Sequence, residues 1–409
     1  MVLPAASAFT RGFPNIVQAA SSLRCARSFA TTPLRLGVAA GDVFHAEGLT
    51  NGMKYVKLGS SDLVVSEVCL GTMTWGEQNS DEEAYQQLKL AVDEFGINFI
   101  DTAELYPVPA KAETSGRTDK AIAKWLKGRK REDIVLASKV AGRAAHLGHL
   151  RSSGEPTRVR KADIIESVDK SLQRLGTDYL DLLQVHWPDR YVPLFGGGIY
   201  DYEQERSDDI PFEEQLQALE EVIKAGKVRN IGLSNETPYG VMKFVTLAEQ
   251  LGLPRVCSIQ NSYSLLVRAD FELGGLVEVC APRNTNVGLL AYSPLAGGVL
   301  TGKYQDPNYD DSKSRLSFFK GYMGRYRNSF SEAAVKEYMQ VAQEAGLTPT
   351  QLALAWCYTR PYVTSTIVGA TTCDQLRDNI MAYNCPITEE TTKAIQQVYR
   401  KYTDPTKSM

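Results

Sequence analysis

The chain has 409 residues, a formal net charge of -3 and 23% charged residues, which leaves no basic field of the kind that attracts nucleic acid. Although 43% of residues are hydrophobic, no apolar run reaches the ~20 residues that span a bilayer. A small-molecule partner is therefore expected, with neither nucleic acid nor membrane, and nothing in the composition specifies an oligomeric state.

The first 41 residues contain Arg11, Arg24, Arg27 and Arg35 but no Asp, Glu or Lys, and are rich in Ala and Ser. That composition predicts an organelle transit peptide. Arg27-Ser28-Phe29-Ala30 resembles a mitochondrial processing site and Ala6-Ser7-Ala8-Phe9 a plastid-targeting signature, with the mitochondrion favoured. Leader and linker are expected to run disordered to residue 52, followed by one domain over 53–402 and a tail over 403–409. The seven cysteines are scattered without a CxxC pair and read as reduced. The four histidines form neither HExxH nor a zinc-spaced cluster, so no metal site is expected.

Beyond residue 53, short β-rich apolar runs alternate with longer amphipathic segments, the pattern of βαβ units and a parallel sheet. A polar hairpin over 55–58 and 63–66, turning at Gly59-Ser60, comes first and is placed to close a barrel floor. Strands are expected at 68–71, 98–101, 134–139, 179–186, 228–234, 257–261, 287–292 and 365–369, eight in all, which predicts a (β/α)8 barrel of the TIM type. Ile164, Val168, Leu172 and Leu175 have helical spacing and end at Gly176, a C-cap residue. Thr348-Pro349 marks a helix start. Connections over about 140–160, 188–211 and 295–330 exceed ordinary loop lengths, and all follow strands, so they belong at the carboxyl face where barrel active sites are built.

Polar residues end the apolar strands: Asp101, Lys139, His186, Ser234-Asn235, Gln260-Asn261 and Tyr292-Ser293. Singly, each has a structural explanation. Asp101 and Lys139 could be an ion pair, His186 a satisfied core histidine, Ser234, Asn235 and Gln260 helix caps, and Lys303 and Arg315 solvated charge. On one barrel rim they form a set, because buried charges need partners and strands two, three and four are neighbours. A phenol titrates near 10, too high for an efficient acid at neutral pH, and an adjacent ammonium stabilises its anion. Tyr106 would be the acid, Lys139 the ammonium, Asp101 its anchor, and His186 a donor to a substrate carbonyl.

Asp101-Thr102-Ala103 with Tyr106, Ser138-Lys139 and His186-Trp187-Pro188 resemble the catalytic tetrad of the aldo-keto reductases. Leu70-Gly71-Thr72-Met73-Thr74-Trp75-Gly76, Ser234-Asn235-Glu236-Thr237 and Ser258-Ile259-Gln260-Asn261 are closest to the Tas-like branch of that family. The resemblance covers about 55–402. It implies NADPH-dependent reduction of an aldehyde or ketone. It also implies a cofactor path past Gly71, Thr72 and Met73, with Ser234, Asn235 and Gln260 on the nicotinamide carboxamide and Tyr292 stacked on the ring. Ser293, Pro294, Leu295, Gly297, Leu300, Gly302 and Lys303 would then hold the diphosphate, Arg315 the 2′-phosphate, and Gly369, Ala370, Thr371, Gln375 and Asn379 the adenosine end. Trp75 and Trp187 are candidates for lining the substrate pocket, with core packing as the other reading. The segment 106–119, the loop carrying Phe195 to Gly198 and the basic stretch 143–160 are expected to set substrate choice. Relatives that hold NADPH as potassium channel β subunits leave a regulatory or redox-sensing role as the second functional reading.

Overall fold

The structure, a computed structural model, describes residues 36–38, 43–46, 52–310, 312, 314–318 and 323–407. The transit-peptide segment lies outside these residues, apart from its last few positions.

A four-stranded antiparallel sheet comes first, in the order β1 (Leu36–Val38), β2 (Val43–Ala46), β3 (Lys54–Lys57) and β4 (Val64–Ser66). The expected hairpin is β3–β4, in register Tyr55 with Ser66 and Val56 with Val65. The two strands before it correct the expectation of an unstructured linker to residue 52. The open edge of β3 offers a row of backbone donors and acceptors that an extended segment satisfies, pairing Val43 with Val56.

Eight parallel strands follow: β5 (Val68–Gly71), β6 (Phe99–Asp101), β7 (Val135–Val140), β8 (Leu180–Val185), β9 (Val228–Ser234), β10 (Val256–Ser262), β11 (Gly288–Tyr292) and β12 (Val363–Val368). They close into a barrel when β12 pairs with β5, Val368 opposite Leu70. All eight lie where the alternation places them, within one or two residues at each end.

Helices pack around the sheet, and their ends follow local chemistry. Ser80 and Glu83 form a capping box at Asp81–Lys89, as Thr348 and Gln351 do at Pro349–Tyr358, where Pro349 takes the first turn. Helix Lys161–Leu175 stops at Gly176 in the left-handed conformation, burying Ile164, Val168, Leu172 and Leu175 against the barrel. At the other end of the chain, residues 404–407 dock on the barrel. Pro405 is buried, and its carbonyl accepts hydrogen bonds from Asn328 Nδ2 at 2.9 Å and Ser331 Oγ at 3.3 Å.

The barrel interior is plugged from below. Leu58 and Val65 of the hairpin pack with Cys69, Phe99, Leu182, Cys257, Leu290 and Ile367 from the strands. The hairpin turn comes so near the start of the barrel that a Cβ on Gly59, which has φ +55°, would stand 2.1 Å from the Cys257 carbonyl oxygen. Ligands are thereby confined to the opposite, carboxyl face. Gly59→Ala is expected to destabilise the fold by about 2–4 kcal/mol, since backbone must move and a left-handed residue gains a side chain. Urea unfolding measures this, and substrate affinity of the folded fraction should be unaltered.

Candidate active site

Lys139 is fully buried on β7 and points to the carboxyl end of the barrel. A buried ammonium must be paired, and its three donors are all used. Nζ donates to Asp101 Oδ2 at 2.5 Å, to the Thr102 carbonyl at 2.9 Å and to the Tyr106 hydroxyl at 3.3 Å. The other Asp101 oxygen accepts from Gln260 Nε2 at 2.8 Å and Gln184 Nε2 at 3.2 Å. The Asp101 carboxylate is thus held by three donors and the Lys139 ammonium by three acceptors, so neither buried group is left without partners.

Tyr106 is positioned by the chain that follows β6. Thr102 N–H reaches the Ala137 carbonyl and Glu104 N–H that of Lys139, so the segment continues to pair with β7 past the end of the strand. A turn then closes from Tyr106 N–H to the Ala103 carbonyl, and the Tyr106 carbonyl accepts from Gly116 N–H at 2.8 Å. Both the Tyr106-Pro107 and Val108-Pro109 peptides are cis.

Below this turn sits a buried ion cluster. Glu104 Oε1 accepts from Ala141 N–H at 2.7 Å, both Glu104 oxygens take the Arg151 guanidinium fork, and Arg151 Nε reaches Asp163 at 2.6 Å. One carboxylate thus ties the Tyr106 turn to the backbone two residues beyond Lys139.

His186 follows β8, and its ring meets Tyr106 edge-on with centroids 5.8 Å apart. Burial, aided by the Lys139 charge, holds the imidazole well below the usual histidine range, so the ring is neutral near pH 7. Its Nδ1 is buried without a hydrogen-bond partner. A neutral ring, a phenol and an ammonium meeting at one rim can supply a hydrogen bond, a proton and a charge to a single oxygen atom.

These groups open into a cleft of about 1210 Å³, above the roughly 300–1,000 Å³ that suffices for one small ligand. One wall carries the amides. Asn235 Nδ2 donates to the His186 carbonyl at 2.9 Å, Asn235 Oδ1 accepts from the Tyr292 hydroxyl at 2.6 Å, and Ser234 Oγ donates to the Gln260 carbonyl at 2.8 Å. The lining also includes Ser293, Pro294, Leu295, Gly297, Gly298 and Lys303, together with Gly369, Ala370, Thr371, Gln375 and Asn379; Gly71, followed by Thr72 and Met73, lies beside Gly369 where β5 pairs with β12. Gly297 and Gly298 have φ of +66° and +95°, which bares the backbone to the cleft as a side-chain-bearing residue would not. The apolar end holds Met73, Leu105, Val108, Leu147, Trp187 and Phe195.

Several expected site residues are not brought to the cleft. Trp75 is fully buried in the helix-barrel core, its Nε1 bonded to Gln87 Oε1 at 3.2 Å, so it does not line the pocket. Its indole fills the space between the first barrel loop and helix Asp81–Lys89. Leu300 is likewise a core residue, and Gly302 turns the chain beside Met339 without lining the cleft. Arg315 is not one of these: its backbone opens the short helix Arg315–Phe318.

The basic stretch 143–160 does not present its charge to a ligand. Arg143 pairs with Asp208, Arg151 with Glu104 and Asp163, Arg158 with Asp189, and Arg160 with Asp163. It is His146 and Leu147 from that loop that face the cleft. Among the described residues no group of His, Cys, Asp and Glu is arranged to hold a metal ion, and no helix is long and apolar enough to cross a membrane.

A family model described as the aldo/keto reductase family matches residues 67–400. The chain belongs to the aldo/keto reductase family. It is 43% identical over 358 residues to Protein tas of Escherichia coli, across 86% of this chain and 99% of that protein. It is 44% identical over 281 residues to an aldo-keto reductase of Babesia bovis, across 66% and 98%. A probable voltage-gated potassium channel subunit beta of Arabidopsis thaliana is 31% identical over 336 residues, across 81% and 91%. Membership makes the protein an oxidoreductase of a family that acts on small carbonyl compounds with a nicotinamide cofactor.

Gln184, Glu104 and Arg151 were not found by reading strand ends. Gln184 carried a signal: it is the one uncharged polar residue within Leu180–Val185 and lies two positions before His186, on the same side of the strand. Glu104 and Arg151 are 47 residues apart with no local pattern linking them.

Two outcomes follow from these buried charges. Glu104→Ala leaves the Arg151 guanidinium short of a partner and is expected to lower the unfolding free energy by about 3–5 kcal/mol in urea titration, with a fall in kcat. Because the folded-state value of His186 lies below its unfolded one, protonation favours the unfolded chain. The stability owed to the neutral ring is complete above about pH 6.5 and is lost as pH falls below it. Urea midpoints measured from about pH 8 down to about pH 5.5 should therefore decline less steeply in His186→Gln than in the wild type.

Proposed function

We propose that the protein reduces an aldehyde or ketone to the alcohol with NADPH, and that Tyr106 delivers the proton. The observation that carries this reading is the 3.3 Å approach of the buried Lys139 ammonium to the Tyr106 hydroxyl, with Asp101 behind it and His186 beside it.

The cleft fits a dinucleotide. Asn235, Ser234 and Gln260 supply amide and hydroxyl groups for a carboxamide, and Tyr292 supplies a flat ring for a heterocycle. Leu295, Gly297 and Lys303 would hold the diphosphate, and Gly369, Thr371, Gln375 and Asn379 the adenosine end. Arg315 would take the 2′-phosphate, its planar fork favouring NADPH over NADH. When bound, the dihydronicotinamide is the source of hydride for the carbonyl carbon.

The chain's own groups act on the carbonyl oxygen. His186, neutral, donates an N–H bond and sets the angle of the carbonyl. Tyr106 gives its proton to that oxygen, completing the alcohol. Lys139 stabilises the phenolate left behind, and Asp101 holds Lys139 in place. The apolar end, from Met73 to Phe195, excludes water and receives the rest of the substrate. The Arg-bearing, acid-free leader supports an organelle, the mitochondrion ahead of the plastid.

Relatives described as potassium channel β subunits favour a second reading, in which the bound cofactor regulates or senses and turnover is incidental. Tyr106→Phe separates the two. Carbonyl reduction should fall by about 10²–10⁴-fold, while NADPH affinity by fluorescence titration is unchanged. Undiminished turnover in the variant, or no turnover of any carbonyl by wild-type protein that binds NADPH, would sink the catalytic reading.

A further inference from the structure

Arginines of the long carboxyl-face loops are mostly engaged by carboxylates: Arg143 with Asp208, Arg158 with Asp189, Arg190 with Glu236. Arg325 is different. Its Nη2 donates to the Tyr326 hydroxyl at 2.9 Å and to Ser262 Oγ at 3.4 Å, and Tyr292 also interacts with the guanidinium. No carboxylate pairs with it among the described residues. The side chain is half-buried and lines the cleft.

Its neighbours place it across the cleft mouth. Ser262 ends β10 opposite Tyr292, the aromatic wall of the cleft. The Arg325 methylenes lie against the turn after β8, where a Cβ on Gly196 would stand 2.8 Å from Arg325 Cδ. Two residues earlier, Met323 packs on Gly297, with Sδ 2.9 Å from the position of a Cβ there. Through Met323 and Arg325 this segment therefore reaches both the glycine turn after β11 and the loop after β8.

A guanidinium has five N–H donors in a planar fork, and neutral hydroxyls satisfy neither its charge nor its bidentate geometry. Half-buried in the cleft wall, it is matched by an oxyanion that arrives with a ligand. A role as a strap between two loops would use the methylenes alone and would not require the charge.

We propose that Arg325 binds an oxyanion of the bound ligands, either a phosphate of the dinucleotide or a carboxylate on the carbonyl substrate, and thereby helps decide which ligands the cleft accepts. The inference rests on the dinucleotide-dependent reduction proposed above. Both sources share one chemistry, and separate measurements distinguish them.

Full-length wild type, Arg325→Gln and Arg325→Lys would be titrated with NADPH at low and high salt. KM would then be measured at saturating NADPH for para-carboxybenzaldehyde and para-methylbenzaldehyde. Matched thermal melting of the three proteins controls for folding. A loss of NADPH affinity of about 10-fold or more in Arg325→Gln, with a weaker salt dependence, assigns the contact to phosphate. A rise of about 10-fold or more in KM for the carboxylated aldehyde alone assigns it to the substrate. In either case Arg325→Lys, which keeps the charge, should fall between the other two. Unchanged NADPH affinity, together with KM values that are unchanged or rise equally for both aldehydes, overturns the Arg325 assignment and leaves the strap. A wild-type protein that fails to bind NADPH overturns the proposed function and takes the Arg325 role with it.

Discussion

A buried ammonium on a barrel strand constrains everything around it. Lys139 has no access to water, and Asp101, the Thr102 carbonyl and the Tyr106 hydroxyl supply the hydrogen-bond partners that a buried ammonium needs. Each of these partners has its own requirements. Asp101 needs donors on its second oxygen, which brings Gln184 from β8 and Gln260 from β10 across the barrel. Tyr106 must be held at hydrogen-bond range, which calls for a turn that the Glu104 carboxylate pins to the backbone just after β7. The polar network at the carboxyl end thus follows from one charge that cannot be left unpaired.

The opposite end of the barrel is organised by a different force. There the hairpin pushes Leu58 and Val65 into an apolar plug, and Gly59 brings the turn against the starts of β10 and β11. With the floor sealed by hydrophobic packing, the strands' polar ends and the loops that follow them face a cavity large enough for a dinucleotide and a small substrate together. Loops after β7, β8 and β11 then shape the mouth. Many of their arginines are engaged in ion pairs that hold the loops to each other, whereas among the described residues Arg325 and Lys303 line the cleft with no carboxylate paired to them.

Legibility in the sequence followed the range of the interaction. Strands were readable because β-branched and apolar runs alternate with amphipathic helices. Helix ends at Gly176 and Thr348 were readable because they are set by hydrogen bonds within a few residues. Asp101, Lys139 and His186 stood out as polar interruptions of apolar strands, and neighbouring strands in a barrel bring such interruptions together. Trp75 was less readable, since a large aromatic after β5 is compatible with either pocket or core and only the packing of helix Asp81–Lys89 chose between them. For the basic stretch 143–160 the sequence likewise left open which residues face the cleft: its arginines pair with carboxylates from Glu104 to Asp208, and His146 and Leu147 line the cavity.

The amino-acid order by itself determined the (β/α)8 architecture, its capped helices and the identity of the four groups at the barrel rim, because periodicity, capping and the cost of burying charge all act locally or through the regular order of strands. Tertiary structure alone decided how those groups are held and which loop charges remain for a ligand. The pairings of Glu104 with Arg151, of Gln184 with Asp101 and of Gly196 with Arg325 join segments tens to more than a hundred residues apart. No local pattern encodes such contacts; they exist only once the closed barrel has fixed where each loop begins and ends.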